Sequence, residues 1–177
     1  MQSAIIWPKQ YLPGTTDNYV SNEVIVRGIT ATEVWQFLSD ITKWESYYGN
    51  CSQITPPSSG PLLQEGDKFS FSTFGFPPLQ AELWESDAPT ASSVGRLAWR
   101  AWQEGDEDTA LDVYHAWLVE DLDYGAVRIL TQESQIGKPA AQLSTAKPNP
   151  MLNGHQDWLD SLVKFTKENT KENTKRA

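Results

Sequence analysis

The sequence is poor in the residue types that most often build metal or redox centres. It contains one cysteine, Cys51, and two histidines, His115 and His155. A single cysteine excludes an internal disulfide and a zinc site made from several cysteines, and without a close histidine a catalytic thiol is not expected. It also lacks a Gly-rich phosphate loop, an HExxH pair and a GxSxG elbow. We therefore predict neither a metal nor a cofactor from the sequence.

Positive charge and long apolar runs are also scarce. The chain has 14 basic and 23 acidic residues, for a net charge of −9. Such a chain repels phosphate backbones, so nucleic-acid binding is not expected. No apolar run is long enough for a membrane span, and the first residues do not form a secretory signal. These features predict a cytoplasmic protein, either a monomer or a homodimer.

Aromatic residues are plentiful, with eight tryptophans among 177 residues, which argues against disorder and suits one domain. We divide the chain into three parts. Residues 1–18 hold two prolines and no periodicity, and are predicted to form an irregular arm. Residues 19–167 are predicted to form the domain. Residues 168–177, with most of the repeat KENTKENT, are expected to be a polar tail that is either helical or frayed.

The first part of the domain has the pattern of a strand followed by two helices. Alternation predicts a strand over Val20 to Arg27. Thr30 with Glu33 matches a capping box, and apolar residues follow at helical spacing. A second short helix is predicted from Asp40 towards Tyr48. The Pro-, Ser- and Gly-rich stretch 52–66 is predicted to be a loop.

Strand patterns then recur with turn signals between them, which predicts an antiparallel meander. These five segments are 67–74, 79–86, 95–102, 111–120 and 126–134. After a predicted loop with Pro139 and Pro148, Asn149 can cap a final helix that has Pro150 in its first turn. Its apolar stripe consists of Met151, His155, Trp158, Leu159, Leu162 and Phe165.

The order of elements gives an α+β layout, in which a curved antiparallel sheet grips a long helix and leaves a cavity. The chain resembles the SRPBCC, or START-like, superfamily, which includes polyketide cyclase/dehydratase-like and birch-pollen-allergen-like proteins. The resemblance spans 19–167 and lies in VIVRGITATEVWQFLSDITKWESYYGN, YHAWLVE, ILTQESQIG and HQDWLDSLVKF. It implies a helix-grip fold, with two short helices after the first strand, and a hydrophobic small-molecule ligand in a deep cavity.

Strand alternation selects two candidate catalytic residues. His115 shares a face with Val113 and Trp117, while Glu133 shares a face with Thr131 on the next strand. A histidine beside a carboxylate in an apolar cavity is a plausible general acid or base. Alternatively, His115 makes a hydrogen bond in the core, and Glu133 is solvated or paired with an arginine. Register decides between these alternatives, and the sequence does not determine it.

A third candidate, Arg100, could stabilise an oxyanion if it faces inward, but alternation also allows it to stack outward on Trp102 or Trp84. Phe74 and Phe76, on a Gly- and Pro-bearing hairpin tip, are predicted lid residues; the hairpin could instead pack on a neighbour. The expected ligand contacts are completed by Tyr47, Tyr48, Phe71, Trp84, Trp99, Trp117, Thr131, His155, Trp158, Leu159 and Leu162.

Three functions fit this pattern. The first is a cofactor-independent enzyme of secondary metabolism that catalyses cyclisation, dehydration or isomerisation by acid/base chemistry, with confinement of the substrate contributing to the rate. The second is a non-catalytic carrier or sensor of a hydrophobic ligand or lipid. The third is a protein-interaction module of the co-chaperone type. Polar residues at inward positions favour a cavity protein over the third.

Overall fold

The computed structural model describes residues 2–176, and the side chains of residues 2–170. The helices are α1 (Ala31–Leu38), α2 (Trp44–Tyr47), α3 (Lys138–Thr145) and α4 (Pro150–Arg176). The strands are β1 (Asn18–Arg27), β2 (Cys51–Thr55), β3 (Lys68–Thr73), β4 (Leu79–Asp87), β5 (Gly95–Gln103), β6 (Leu111–Leu122) and β7 (Ala126–Ile136). Short 3₁₀ turns occupy Lys9–Tyr11 and Ile41–Lys43.

All seven strands form one antiparallel sheet, in the order β1-β7-β6-β5-β4-β3-β2. Strands β2 to β7 follow one another as a meander, and β1 closes the far edge by pairing with β7. Helix α4 crosses one face of the sheet, where it contacts β1, β7, α1 and α2. This arrangement confirms the predicted helix-grip fold.

Alternation along the central strands separates two apolar layers, as the sequence predicts. Val113, Trp117 and Val119 of β6 belong to the main core between the sheet and α4. Tyr114, Ala116 and Leu118 belong to a smaller cluster on the convex face. The N-terminal arm covers this second cluster, with the ring of Tyr11 stacked on that of Tyr114 at 5.3 Å between centroids.

The predicted helix caps are present. Thr30 and Glu33 form the reciprocal capping box of α1, and the side chain of Asn149 accepts a hydrogen bond from the backbone N–H of Met151 at the start of α4. Asp40 caps the 3₁₀ turn that leads into α2. These local signals set the residues at which α1, the turn before α2, and α4 begin.

Two elements lie in segments that were predicted to be loops, and these predictions are wrong. Strand β2 is a short edge strand whose register shifts between Ser52 and Thr55, where Gln53 has a φ of +54°. This bulge destroys the alternation that identifies a strand. Helix α3 buries only Ala140 among its own residues, so it has no apolar stripe to detect. Pro139 fits there because it lies in the first turn.

Candidate functional site

A cavity of about 490 Å³ lies between the concave face of the sheet and the start of α4. Its walls are mostly apolar, and the β3–β4 loop, the β5–β6 loop and α3 contribute residues to its lining. Nine of the predicted site residues line it: Tyr48, Phe71, Phe74, Phe76, Trp99, His115, Glu133, His155 and Trp158. The volume and the aromatic walls suit a hydrophobic small molecule.

Sheet register brings His115 and Glu133 together. The two residues are direct partners across β6 and β7, and their side chains share the concave face. Nδ1 of His115 lies 3.0 Å from Oε2 of Glu133, and both residues are about 95% buried or more. The convergence that the sequence left open is therefore present.

The second histidine joins this pair from the helix. His155, on α4, places Nε2 3.4 Å from Oε2 of Glu133, the oxygen that also faces His115. The two imidazole rings stack at 4.4 Å between centroids with an interplanar angle of 19°. One carboxylate oxygen thus faces both histidines of the chain.

A second layer of polar side chains holds this cluster. The hydroxyl of Thr131 lies 2.7 Å from Nε2 of His115. Nε2 of Gln135 donates to Oε1 of Glu133 at 2.5 Å, and Nδ2 of Asn18 donates to the oxygen of Gln135 at 2.7 Å. These hydrogen bonds fix the orientation of the Glu133 carboxylate and of the His115 imidazole.

Burial and charge determine the protonation of the cluster. Burial, together with the neighbouring His155, lowers the pKa of His115 to about 4, although Glu133 acts in the opposite direction. Burial alone would raise the pKa of Glu133, but the two imidazoles hold that pKa below its usual range. The pKa values of His115 and Glu133 are both lowered, which favours an ionised Glu133 beside a neutral His115. In this state Nδ1 of His115 donates to Glu133, and its Nε2 accepts from the hydroxyl of Thr131.

This hydrogen bonding changes the roles of the two histidines. Both ring nitrogens of His115 already have partners, so neither is free to exchange a proton with a ligand. Nδ1 of His155 is buried and has no hydrogen-bond partner among the residues that the structure describes. Since His155 also lines the cavity, we expect it, rather than His115, to contact the ligand through a ring nitrogen.

The same three side chains could also hold a metal ion. One nitrogen from each histidine and one oxygen of Glu133 lie within 4.8 Å of one another. The ligand residues come from β6, β7 and α4, which are far apart in sequence, so no local spacing could reveal the group.

The aromatic hairpin tip lies beside the cavity, and its role as a lid stays a prediction. Phe74 and Phe76 both line the cavity, and Phe76 is 62% exposed. The ring of Phe74 packs against Gly154 in α4. Deeper in the cavity, Tyr48 stacks on Trp158 at 4.5 Å between ring centroids.

The proposed role of Arg100 is not supported by its position. Its side chain lies on the convex face, where Nε and Nη2 donate to the two oxygens of Asp112 at 3.0 and 2.9 Å. The guanidinium also lies 4.9 Å from the ring centre of Trp102. Alternation puts Arg100 opposite to Trp99, which lines the cavity, and the arginine therefore cannot reach the ligand.

Six further candidates do not line the cavity. Trp84 packs on the convex face beside Tyr11 and Tyr114, and Tyr47 packs on Phe165. The other four stand behind the cavity wall: Trp117, Thr131, Leu159 and Leu162. Thr131 thus supports His115 instead of contacting the ligand.

Gln135 is the main site residue that the sequence analysis missed. It lines the cavity and binds Glu133. Strand alternation could have found it, because it follows Thr131 and Glu133 on one face of β7. Cys51 is buried, and burial raises the pKa of its thiol to about 12, so the nucleophilic thiolate is disfavoured there.

Known structures share this fold over nearly the whole chain. The crystal structure of the hypothetical protein jhp0584 from Helicobacter pylori is 50% identical, with a TM-score of 0.89, and the match covers 94% of this chain and 98% of that one. Norcoclaurine synthase from Thalictrum flavum, in complex with dopamine and hydroxybenzaldehyde, is 12% identical, with a TM-score of 0.62 and coverage of 95% and 98%. The chain therefore shares the helix-grip fold of these structures, and its sequence is related to that of the Helicobacter pylori protein.

A further structure with this fold is the di-domain ARO/CYC BexL from the BE-7585A biosynthetic pathway. It is 10% identical, with a TM-score of 0.57, and the match covers 82% of this chain and 45% of BexL. No protein-family model and no curated protein sequence matches this chain. Within residues 2–176, no helix is both long and apolar enough to cross a membrane.

Proposed function

We propose that this protein is an enzyme that cyclises, dehydrates or isomerises a hydrophobic small molecule by proton transfer. The observation that carries the proposal is the polar cluster of His115, Glu133 and His155 on the wall of an otherwise mostly apolar cavity. Burying an ionisable carboxylate and two imidazoles costs free energy. Titratable groups with perturbed pKa values in a cavity are typical of catalytic sites.

In this proposal each member of the cluster has a separate role. Glu133 accepts the Nε2–H of His155, which leaves Nδ1 of His155 as the base that removes a proton from the ligand. The resulting imidazolium is stabilised by the carboxylate and can return the proton to another ligand atom. His115 acts as a positioning residue, since it holds Glu133 through Nδ1 and is itself held by Thr131.

Confinement supplies the second part of the catalysis. Phe71, Trp99 and Trp158 form aromatic walls of the cavity, and the ring of Phe74 packs against Gly154 of α4. A flexible ligand held in such walls loses its unreactive conformers before the chemical step. Norcoclaurine synthase and the ARO/CYC BexL show that helix-grip proteins are found in biosynthetic chemistry, and they support the proposal only through the shared fold.

A non-catalytic carrier is the second candidate, and one observation favours it. Both oxygens of Glu133 and both nitrogens of His115 are already bonded within the protein. A fully bonded network can serve to fix the core instead of acting on a ligand. A carrier requires the same apolar cavity and makes no use of the unpartnered Nδ1 of His155.

The test begins with native mass spectrometry of the purified protein, to identify the ligand that accompanies it. That ligand, or its chemical class, is then incubated with the wild type and with His155→Gln and Glu133→Gln, and products are followed by liquid chromatography. Glu120→Gln is the matched control, because Glu120 is a buried carboxylate of β6 that pairs with Arg128 on the convex face.

The enzyme proposal predicts turnover by the wild type and by Glu120→Gln. Turnover should fall at least about 100-fold in the two cluster variants, while ligand binding persists. Binding without turnover in the wild type would establish the carrier instead. Turnover that is equal in His155→Gln and in the wild type would remove His155 from the mechanism.

A further inference from the structure

We propose that the His115–Glu133–His155 cluster is a binding site for a divalent transition-metal ion, with Zn²⁺ as the ion that best fits proton chemistry. The ligand atoms would be Nδ1 of His115, Oε2 of Glu133 and Nε2 of His155. The inference rests on the proposed function in one respect, namely that the ion would act on the same ligand in the same cavity. With the ion on Nε2, Nδ1 of His155 would carry the imidazole proton, so a metal-bound water would replace His155 as the base. The inference differs from the expectation, based on the sequence alone, that the protein binds no metal.

The distances between the donor atoms agree with a shared ion. Ligands at about 2.1 Å from Zn²⁺, separated by angles between 90° and the tetrahedral value, lie roughly 3.0–3.4 Å from one another. Nδ1 of His115 and Nε2 of His155 lie 3.0 and 3.4 Å from Oε2 of Glu133. One nitrogen of each histidine and one oxygen of Glu133 all lie within 4.8 Å of one another. An ion would therefore require only small adjustments of the side chains.

Around two of the three donors, His115 and Glu133, the side chains have the arrangement that metal ligands usually need. A ligating histidine commonly donates its other N–H to an oxygen, and a ligating carboxylate is itself hydrogen-bonded. Thr131 lies at Nε2 of His115, and its hydroxyl can accept from that nitrogen when Nδ1 binds an ion. Gln135 donates to Oε1 of Glu133, which leaves Oε2 for the ion. The second layer thus orients both donor atoms towards one point.

The charge of the cluster also favours a cation. Among the described residues, Glu133 has no arginine or lysine partner, and its ion-pair contacts are the two histidines. Two protonated imidazoles stacked at 4.4 Å would repel each other. A buried carboxylate needs compensating charge. A divalent ion supplies it while both imidazoles remain neutral.

The donor set determines the class of ion and what it can do. Two histidines and one carboxylate are a ligand set of catalytic Zn²⁺ sites and also of non-haem Fe²⁺ sites. Three protein ligands leave at least one coordination position for water or a ligand oxygen. Because all three residues line the cavity, that position would face the bound molecule. The ion would polarise a carbonyl or hydroxyl oxygen of that molecule.

The experiment uses the full chain and metal ions alone. Metal content is measured on the protein as purified, by inductively coupled plasma mass spectrometry. Chelator-treated protein is then titrated with ZnCl₂ by calorimetry, and with CoCl₂ by visible absorption, which reports the coordination of Co²⁺. The variants are His155→Gln, Glu133→Gln, Thr131→Val and the matched control Glu120→Gln, each checked for folding by circular dichroism.

The proposal predicts one ion per chain, with equal binding in Glu120→Gln and loss in His155→Gln and Glu133→Gln. Thr131→Val should keep the stoichiometry with affinity roughly 10- to 100-fold weaker, because Thr131 supports a ligand without being one. If a cluster variant fails to fold, the wild-type titration and Thr131→Val remain decisive. Failure of the wild type to bind stoichiometric Zn²⁺ or Co²⁺, or equal binding by folded His155→Gln, overturns the proposal.

The two proposals can fail separately. Turnover by chelator-treated protein without stoichiometric metal binding would overturn the metal site and leave the enzyme proposal standing. Stoichiometric binding at these residues, without turnover of any bound ligand, would support the metal site and remove the enzyme proposal.

Discussion

Phe74 lies directly against Gly154, so closely that a Cβ on the glycine would be 2.0 Å from Cζ of the phenylalanine ring. Phe74 belongs to the β3–β4 hairpin tip and Gly154 to the helix that closes the cavity. Phe74 and Gly75 have φ values of +55° and +75°, so the turn itself directs the ring towards the helix. The absence of a side chain at position 154 allows the Phe74 ring to pack directly on the helix.

Gly154→Ala should therefore displace the lid. In a helix interior, alanine is favoured over glycine by about 1 kcal/mol, but here the added methyl group collides with Phe74. We expect Gly154→Ala to raise the free energy of unfolding by less than this amount, or to lower it. Stopped-flow fluorescence with an apolar dye should show faster entry and release, because the mouth is wider.

Phe74→Ala is the matched background for that test, because it removes the colliding ring. In this background Gly154→Ala should recover most of the stabilisation of about 1 kcal/mol, and urea unfolding of the four proteins measures the coupling. Equal effects of Gly154→Ala in both backgrounds would show that Phe74 does not pack on the helix in solution.

Arg100→Ala should leave ligand binding and turnover unchanged. Arg100 pairs with Asp112 on the face of the sheet opposite the cavity, and both side chains are about one-third exposed. A pair of this kind contributes up to about 1 kcal/mol to the free energy of unfolding, and urea denaturation measures that loss. A large fall in turnover, with unchanged folding, would mean that Arg100 reaches the ligand after all.

Acid should destabilise the protein when a chelator is present. Burial lowers the pKa of His115 from 6.5 to about 4, so between these values the unfolded chain binds more protons than the folded one. The free energy of unfolding then falls as the pH drops from 6.5 to 4, by on the order of 3 kcal/mol. Glu133, with its lowered pKa, adds to the loss as the pH falls below its usual value. Urea unfolding at a series of pH values should show that the free energy of unfolding of His115→Gln changes less with pH than that of the wild type.

The fold was predictable because its signals are local. The capping box at Thr30 and Glu33, the Asn149 cap and the alternation of β6 each depend on a few adjacent residues. Their order along the chain then indicates the helix-grip arrangement. The bulged strand β2 was missed because its alternation is interrupted at Gln53.

The candidate site was predictable only in part, since it depends on contacts between distant segments. Alternation placed His115 and Glu133 on inward faces, but only the sheet register makes them partners. The contact of His155 with Glu133 joins α4 to β7, and no spacing in the sequence reports it. Alternation allowed a contact between His115 and Thr131, but only the structure shows that the Thr131 hydroxyl meets Nε2 of His115, which supports the proposal that His155 faces the ligand.

The central claim is that His155 contacts the ligand while a neutral His115 holds Glu133 behind it. Nitrogen-15 NMR of the imidazoles tests it most directly, because the chain has only two histidines. In chelator-treated protein at pH 5.5, the account predicts that His115 is neutral with its proton on Nδ1. Adding the ligand identified by native mass spectrometry should then shift the His155 nitrogens more than those of His115. A protonated His115 at that pH, or a ligand that shifts His115 and leaves His155 unchanged, would contradict the account.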